Sequence, residues 1–460
     1  MTLAAGAVLV LVLIVTIYPA SGAYLLLAVT PLVAGIGRGV VVPIVRPNEA
    51  LLLLVVFGLL LHLLVTPAWG RRKTASLYFH RFDGAIVLLA ISGSVLPLLW
   101  MVVRGRTITQ TDIFYALQLW KYYAVFLVVR MSVVTSDQVG QCLKVVLVSS
   151  CLVALIAILQ SRQLFGLPAL LHRVYSPTEQ IINVNDKRGS ATLGNTFAVG
   201  DIMVFSLAIA AAWIAHGSRH RTRLTLIAGL LLLGAVASGE VSSFVGIIVG
   251  AFAVGFVLRR LGRTLVLLGV SAFAAAIALW PVIQARLNGF NNAYGLPVSW
   301  VGRLHNLQTF FWPQLGQSYN WLTGVRPTAR VPTPLSLRYQ GPWIWIESGH
   351  TWLLWTGGVV FLVAYFVYVI VTMRGVLGIA RQRKDIVGVA ATGSFAALAV
   401  TAVLMTFDVH LTLRGAAELS FGLLALALPK LPVKRGDVPR ISRSGTPRNR
   451  RYETRAPGGG

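Results

Sequence analysis

Acidic residues are scarce in this chain. Of its 460 residues only 14 are Asp or Glu, against 40 Lys or Arg, and the charged types make up 12%, where a soluble domain carries about 25%. So few charges cannot clothe a water-facing surface, which excludes a soluble enzyme. Cysteine is nearly absent too: Cys142 and Cys151 share one apolar run, so neither a disulfide framework nor a thiolate metal site follows. The loops hold no Asp-x-Asp, no His-x-x-x-His and no clustered carboxylates, so neither a metal nor another cofactor is expected. The N-terminus lacks a basic n-region and turns apolar at once, reading as a first span and not as a cleaved signal. No internal repeat is apparent, which weighs against a transporter built from inverted halves.

What is abundant is apolar sequence, 56% of the chain. Runs long enough to cross about 30 Å of hydrocarbon recur along the whole length. They lack the alternation of a barrel strand, and only helices or closed barrels satisfy their backbone groups in lipid. Spans are expected near 3–18, 22–37, 50–66, 84–103, 113–131, 143–162, 196–216, 223–238, 241–258, 264–284, 351–373, 388–407 and 411–428. The expected fold is all-α, a polytopic helical membrane bundle of about 12–14 transmembrane helices over residues 1–429.

The net charge of +26 is spread in short clusters between spans, a pattern of topology and not of nucleic-acid binding. Arg71-Arg72-Lys73, Arg219 with Arg221 and Arg223, Arg259-Arg260 with Arg263, and Arg381 with Arg383 and Lys384 all fall on one side of the predicted spans. The positive-inside rule makes that side the cytoplasm of a multi-pass plasma-membrane protein. The tail 430–460 holds nine Lys or Arg against Asp437 and Glu453 and is expected to be disordered and cytoplasmic, as a topology anchor or a contact for anionic membrane lipid. One large polar segment, 285–350, and a smaller one, 163–195, then face outward.

The large segment carries Arg286, Arg303, Arg326, Arg330 and Arg338 and ends at His350. Arg303, in Trp300-Val301-Gly302-Arg303, offers a planar fork of donors suited to a diphosphate oxygen, or else snorkels to headgroups. Arg188, on the smaller loop, can add a second cation, or simply pair with Asp186. An imidazole ordinarily titrates near neutrality, so His350 could take a proton from an acceptor hydroxyl, or be a structural histidine at the membrane interface, and Glu347 could orient its ring or pair with an arginine. The Trp and Tyr of the large loop either stack on sugars or form the interfacial aromatic belt. Asp201, Glu418, Asp408, His410 and Glu240 sit in or beside spans, where ionisable groups are costly and often functional; Glu240 and Asp408 read as interfacial charges, while Asp201 and Glu418 lie deeper and could pair with arginines such as Arg414 or relay ions.

The order Arg188 to Asn195, Gly302-Arg303, Gly324-Val325, and His350-Thr351-Trp352-Leu353-Leu354 followed by Gly357-Gly358 resembles the O-antigen ligase and Wzy-type polymerase superfamily over roughly residues 150–375. Two positions depart from it: Thr351 follows the His, and Glu240-Val241-Ser242-Ser243 replaces a Ser-Arg turn. The resemblance implies a metal-independent glycosyltransferase that moves a glycan from a polyprenyl-diphosphate carrier to an acceptor hydroxyl on the extracytoplasmic face. It would act as polymerase or ligase, alongside envelope-polysaccharide assembly proteins. His350, Arg303 and Arg188 would then be catalytic, with Arg326, Glu347 and Asn195 binding substrate. The rival readings are a membrane transporter or lipid-linked glycan flippase, and a non-enzymatic assembly scaffold.

Overall fold

The computed structural model describes residues 2–68, 79–175, 187–259, 298–334 and 342–428, with isolated helical positions between 262 and 288. The expected span at 264–284 (apart from those positions), the cluster Arg71-Arg72-Lys73, Asp186, the loop stretches around 289–297 and 335–341, and the tail from 430 lie outside the described residues.

Helices account for most of the described residues. They run α1 (Thr2–Ile17), α2 (Ala20–Val33), α3 (Pro47–Ala68), α4 (Arg81–Gly93), α5 (Val95–Val103), α6 (Gln110–Ala116), α7 (Gln118–Ser132), α8 (Ser136–Ser161) and α9 (Leu167–Tyr175). After these come α10 (Thr196–Ala215), α11 (Arg221–Ala237) and α12 (Val241–Leu258). Among the described residues, 8 helical stretches are long and apolar enough to cross a membrane, α4–α5 and α6–α7 each counting as one interrupted stretch. Polar residues mark their starts. The side chains of Thr109 and Thr135 accept from Asp112 N and Gln138 N while those residues reach back, closing capping boxes at α6 and α8.

The portion of the polar segment that is described is folded against the bundle. α13 (Val298–Asn306) passes through a π turn at Leu307–Phe311 into α14 (Trp312–Gly316) and α15 (Asn320–Thr323). β1 (Arg330–Pro332) then pairs antiparallel with β2 (Trp343–Trp345). Arg104, at the end of α5, fastens this cap by donating to the Ser318 carbonyl at 2.7 Å and to the Asn320 side chain. The chain closes with α16 (Gly349–Gln382), α17 (Ile386–Leu404) and α18 (Ala416–Leu426).

α16 departs from the expected span at 351–373. Gly357 and Gly358 leave helical geometry, Gly358 at φ 68 and ψ −161, a region open essentially to glycine alone. The rings of His350 and Phe366 are 6.2 Å apart, whereas a straight helix would separate them by about 24 Å. The short arm Gly349–Thr356 therefore doubles back along the long arm. Only the long arm, 359–382, can cross a bilayer, since eight residues reach about 12 Å.

α10 and α17 form the centre, with 72% and 78% of their apolar windows enclosed. Small residues let the helices approach: a Cβ on Gly234 of α11 would lie 2.7 Å from that of Ala154 on α8. Chain connections alternate between two ends. The α2–α3, α5–α6, α11–α12 and α17–α18 connections share one end with the residues ahead of α10, joined there by Gly35 N to Thr192 O at 3.0 Å and Gln118 Nε2 to Thr412 O at 2.9 Å. The α10–α11 and α16–α17 turns, with Arg219, Arg221, Arg223, Arg381, Arg383 and Lys384, lie at the other.

Candidate functional site

The first of these ends carries a narrow cleft lined by Phe197, Glu240, Val241, Ser242, Val245, Trp300, Arg303 and Phe407. Its walls come from four places. Asn195 starts α10 by accepting from Ala198 N at 3.1 Å, and so presents Phe197. The turn Ser238–Glu240 stands between α11 and α12. α13 supplies Trp300 and Arg303. The segment after α17 supplies Phe407 and Asp408, Phe407 stacking on Trp300 at 5.3 Å.

Arg303 is the central cation. Its Nη1 donates to the Phe407 carbonyl at 3.2 Å, and its guanidinium lies 5.3 Å from the Phe197 ring centroid. Two carboxylates flank it without closing on it: Glu347 at 3.7 Å from Nε and Asp408 at 3.6 Å from Nη2. Both exceed a good charge-assisted hydrogen bond, and Nε is buried without a hydrogen-bond partner among the described residues. The guanidinium is thus held in place with donor capacity left for an anion.

Arg188, on the smaller loop, reaches the Glu240 wall of this cleft. Its Nη1 meets Glu240 Oε1 at 3.1 Å, with the arginine side chain 39% exposed and the glutamate 7%. Thr196 also donates to Glu240 Oε1, at 2.6 Å. Glu240 therefore joins the smaller loop, α10 and the α11–α12 turn, while Arg188 stays open to solvent.

Burial raises the Glu347 pKa to about 7; Arg303 opposes the rise, and the carboxylates of Asp408 and Glu240 add to it. A carboxyl so placed changes charge near neutral pH. Behind Phe197, whose ring meets His410 edge-on at 6.0 Å, His410 Nδ1 bonds Asp201 Oδ2 at 2.8 Å. Burial pulls the His410 pKa down, but the Asp201 carboxylate outweighs it and the pKa is raised.

Of the six residues given a catalytic or binding role from the sequence, Arg303, Arg188 and Glu347 are brought together here. The others stand apart. Arg326 grips Asp112 through two bonds, Nε to Oδ1 at 3.0 Å and Nη2 to Oδ2 at 2.6 Å. Asn195 serves as a helix cap. His350 rests against Tyr365 and Phe366, and no hydrogen bond or ion pair joins it to Arg303 or Arg188 among the described residues. The partners Phe407, Asp408 and Glu240 carried one signal in the sequence: two are isolated carboxylates at span ends.

No group of three or more His, Cys, Asp or Glu that could hold a metal occurs among the described residues. The arrangement suits an anion, with the Arg303 guanidinium lining the cleft, Arg188 paired to Glu240 in its wall, and aromatic rings beside them. No protein-family model, curated protein or solved structure matches the chain.

Proposed function

We propose that this protein is an integral-membrane glycosyltransferase that moves a glycan from a polyprenyl-diphosphate carrier to an acceptor hydroxyl at the Arg303 cleft. The observation that carries the reading is Arg303 itself, anchored by a carbonyl and an aromatic ring yet only loosely engaged by its two carboxylates. The cleft lies at the end of the bundle away from the Arg219 and Arg381 clusters, which the positive-inside rule assigns to the cytoplasm. It therefore opens outward, where a lipid-linked donor displays its diphosphate.

In the reaction the acceptor oxygen attacks the anomeric carbon, the bond from that carbon to the diphosphate oxygen breaks, and the diphosphate leaves with the electron pair. Arg303 and Arg188 stabilise the departing charge, a task that preorganised cations perform best where water is scarce. Their charge is permanent, so the step needs no metal from these residues. Glu347, in the ionised form that becomes populated near pH 7, accepts the hydroxyl proton; His350, three residues further on, is placed against aromatic rings and not against the cation.

Mass spectrometry of carrier lipids in cells lacking the protein tests this, with complementation by wild type, Glu347→Gln or His350→Ala. Single repeat units on the carrier identify a polymerase, and long carrier-linked polymer a ligase. An unchanged carrier pool in the null strain defeats the proposal.

A second reading, a transporter or flippase for lipid-linked glycans, is favoured by the break in α16 and by buried charges such as Lys121 and Glu418, 2.8 Å apart. It predicts that carrier-linked glycan in the null strain is trapped facing the cytoplasm.

A further inference from the structure

Behind the cleft, α10, α16, α17, α18 and the turn at His410 enclose a cavity whose lining includes Phe205, Tyr365, Thr401, His410, Ser420 and Phe421. Three of these side chains present a buried polar atom with no hydrogen-bond partner among the described residues: Tyr365 Oη, Thr401 Oγ1 and His410 Nε2. Their residues are 1%, 6% and 2% exposed, so bulk water does not satisfy them. Unpaired buried polar atoms are rare and disfavoured, and three lining one cavity call for a common partner.

The donors and acceptors define that partner. His410 commits Nδ1 to Asp201, leaving Nε2 an acceptor when the ring is neutral and a donor when it is charged. Both hydroxyls can donate or accept. A ligand that meets all three in both states of His410 must be able to donate and to accept, within a narrow space. Buried water does so, and it makes about three such bonds.

We propose that this cavity is a binding site for ordered water, one molecule bridging His410 Nε2, Tyr365 Oη and Thr401 Oγ1. The water joins the long arm of α16 to α17 and to the His410 turn. His410 in turn supports Phe197, on which Arg303 lies, so the water sets the floor of the cleft. The inference stands whether or not the transferase reading does.

The test is thermal unfolding of the full-length protein in detergent for Tyr365→Phe and Thr401→Val. If water is bound, each variant strips it of a partner and the Tm falls. If the cavity is dry, each variant deletes an unsatisfied buried hydroxyl, and an unchanged or higher Tm overturns the proposal. Hydroxyl-radical footprinting by X-ray radiolysis of the wild type reads the water directly. Tyr365 should be modified faster than Tyr122, which is equally buried but bonded to the Thr412 carbonyl at 2.9 Å. Equal rates at the two tyrosines overturn the proposal independently of how the variants fold.

Discussion

Arg303→Lys separates the shape of the cation from its charge. In the wild type the guanidinium addresses three directions at once, toward the Phe407 carbonyl, Glu347 and Asp408. A lysine ammonium keeps the charge but ends in a single point on a flexible stem, so it can satisfy one of these directions and offers no fork to a diphosphate. The loss is one charge-assisted hydrogen bond that matters most as the leaving group gains charge, worth about 1.5–3 kcal/mol. At about 1.4 kcal/mol per factor of ten, kcat/KM should drop roughly 10- to 150-fold. The assay is transfer of a carrier-linked glycan in proteoliposomes, run beside a melting curve to show that the variant is folded. A folded Arg303→Lys protein within about twofold of wild type would refute the guanidinium argument.

Asp112→Asn should release the cap from the bundle. Asp112 is fully buried and holds Arg326 and Thr328, and an amide in its place weakens both bonds while water partly screens the third-exposed Arg326, costing about 1–3 kcal/mol; faster proteolysis between 298 and 334 and a lower Tm are expected. Gly358→Ala should be poorly tolerated, because the residue sits at φ 68 and a Cβ would collide with the Leu322 carbonyl; the backbone strain alone costs about 1–3 kcal/mol, read as a lower Tm. Anion affinity should fall as pH rises through about 7, where Glu347 ionises and competes for Arg303. Equilibrium dialysis of a carrier-diphosphate analogue should show Glu347→Gln matching wild type well below pH 7 and binding tighter above it. The sign for folding is the same: the folded pKa of Glu347 stands above its ordinary 4.5, so this residue's contribution to stability declines as pH rises from about 4.5 toward 7.

Spans were legible where hydrophobicity alone sets the ends. The readings 196–216 and 241–258 correspond closely to Thr196–Ala215 and Val241–Leu258. Elsewhere polar residues concealed helix: 143–162 became Ser136–Ser161 because the capping box at Thr135 extends the helix through Asp137 and Lys144. The reversal in α16 was missed although Gly357-Gly358 was in view, since a glycine pair inside an apolar run kinks a helix only if neighbours occupy the space it opens, here Leu322 and Ser92. At the site, residue type pointed to Arg303, Arg188 and Glu347. Pairing was not legible: Glu240 answers Arg188 from 52 positions away and Asp112 answers Arg326 from 214. Such partners meet only once the bundle has formed.

The doubled-back arm of α16 also bears on how the chain is inserted as it is made. To the insertion machinery Gly349–Gln382 is one continuous stretch of 34 residues around an 18-residue window of mean hydropathy 2.2, longer than a bilayer requires. The arm is seated by Leu322 and Ser92, which are synthesised before it, and by Met405, whose carbonyl accepts from Gly349 N at 2.8 Å and which is synthesised after it. The arm's seat is therefore complete only once the end of α17 is in place, so the last contact of this arm is made by a late part of the chain.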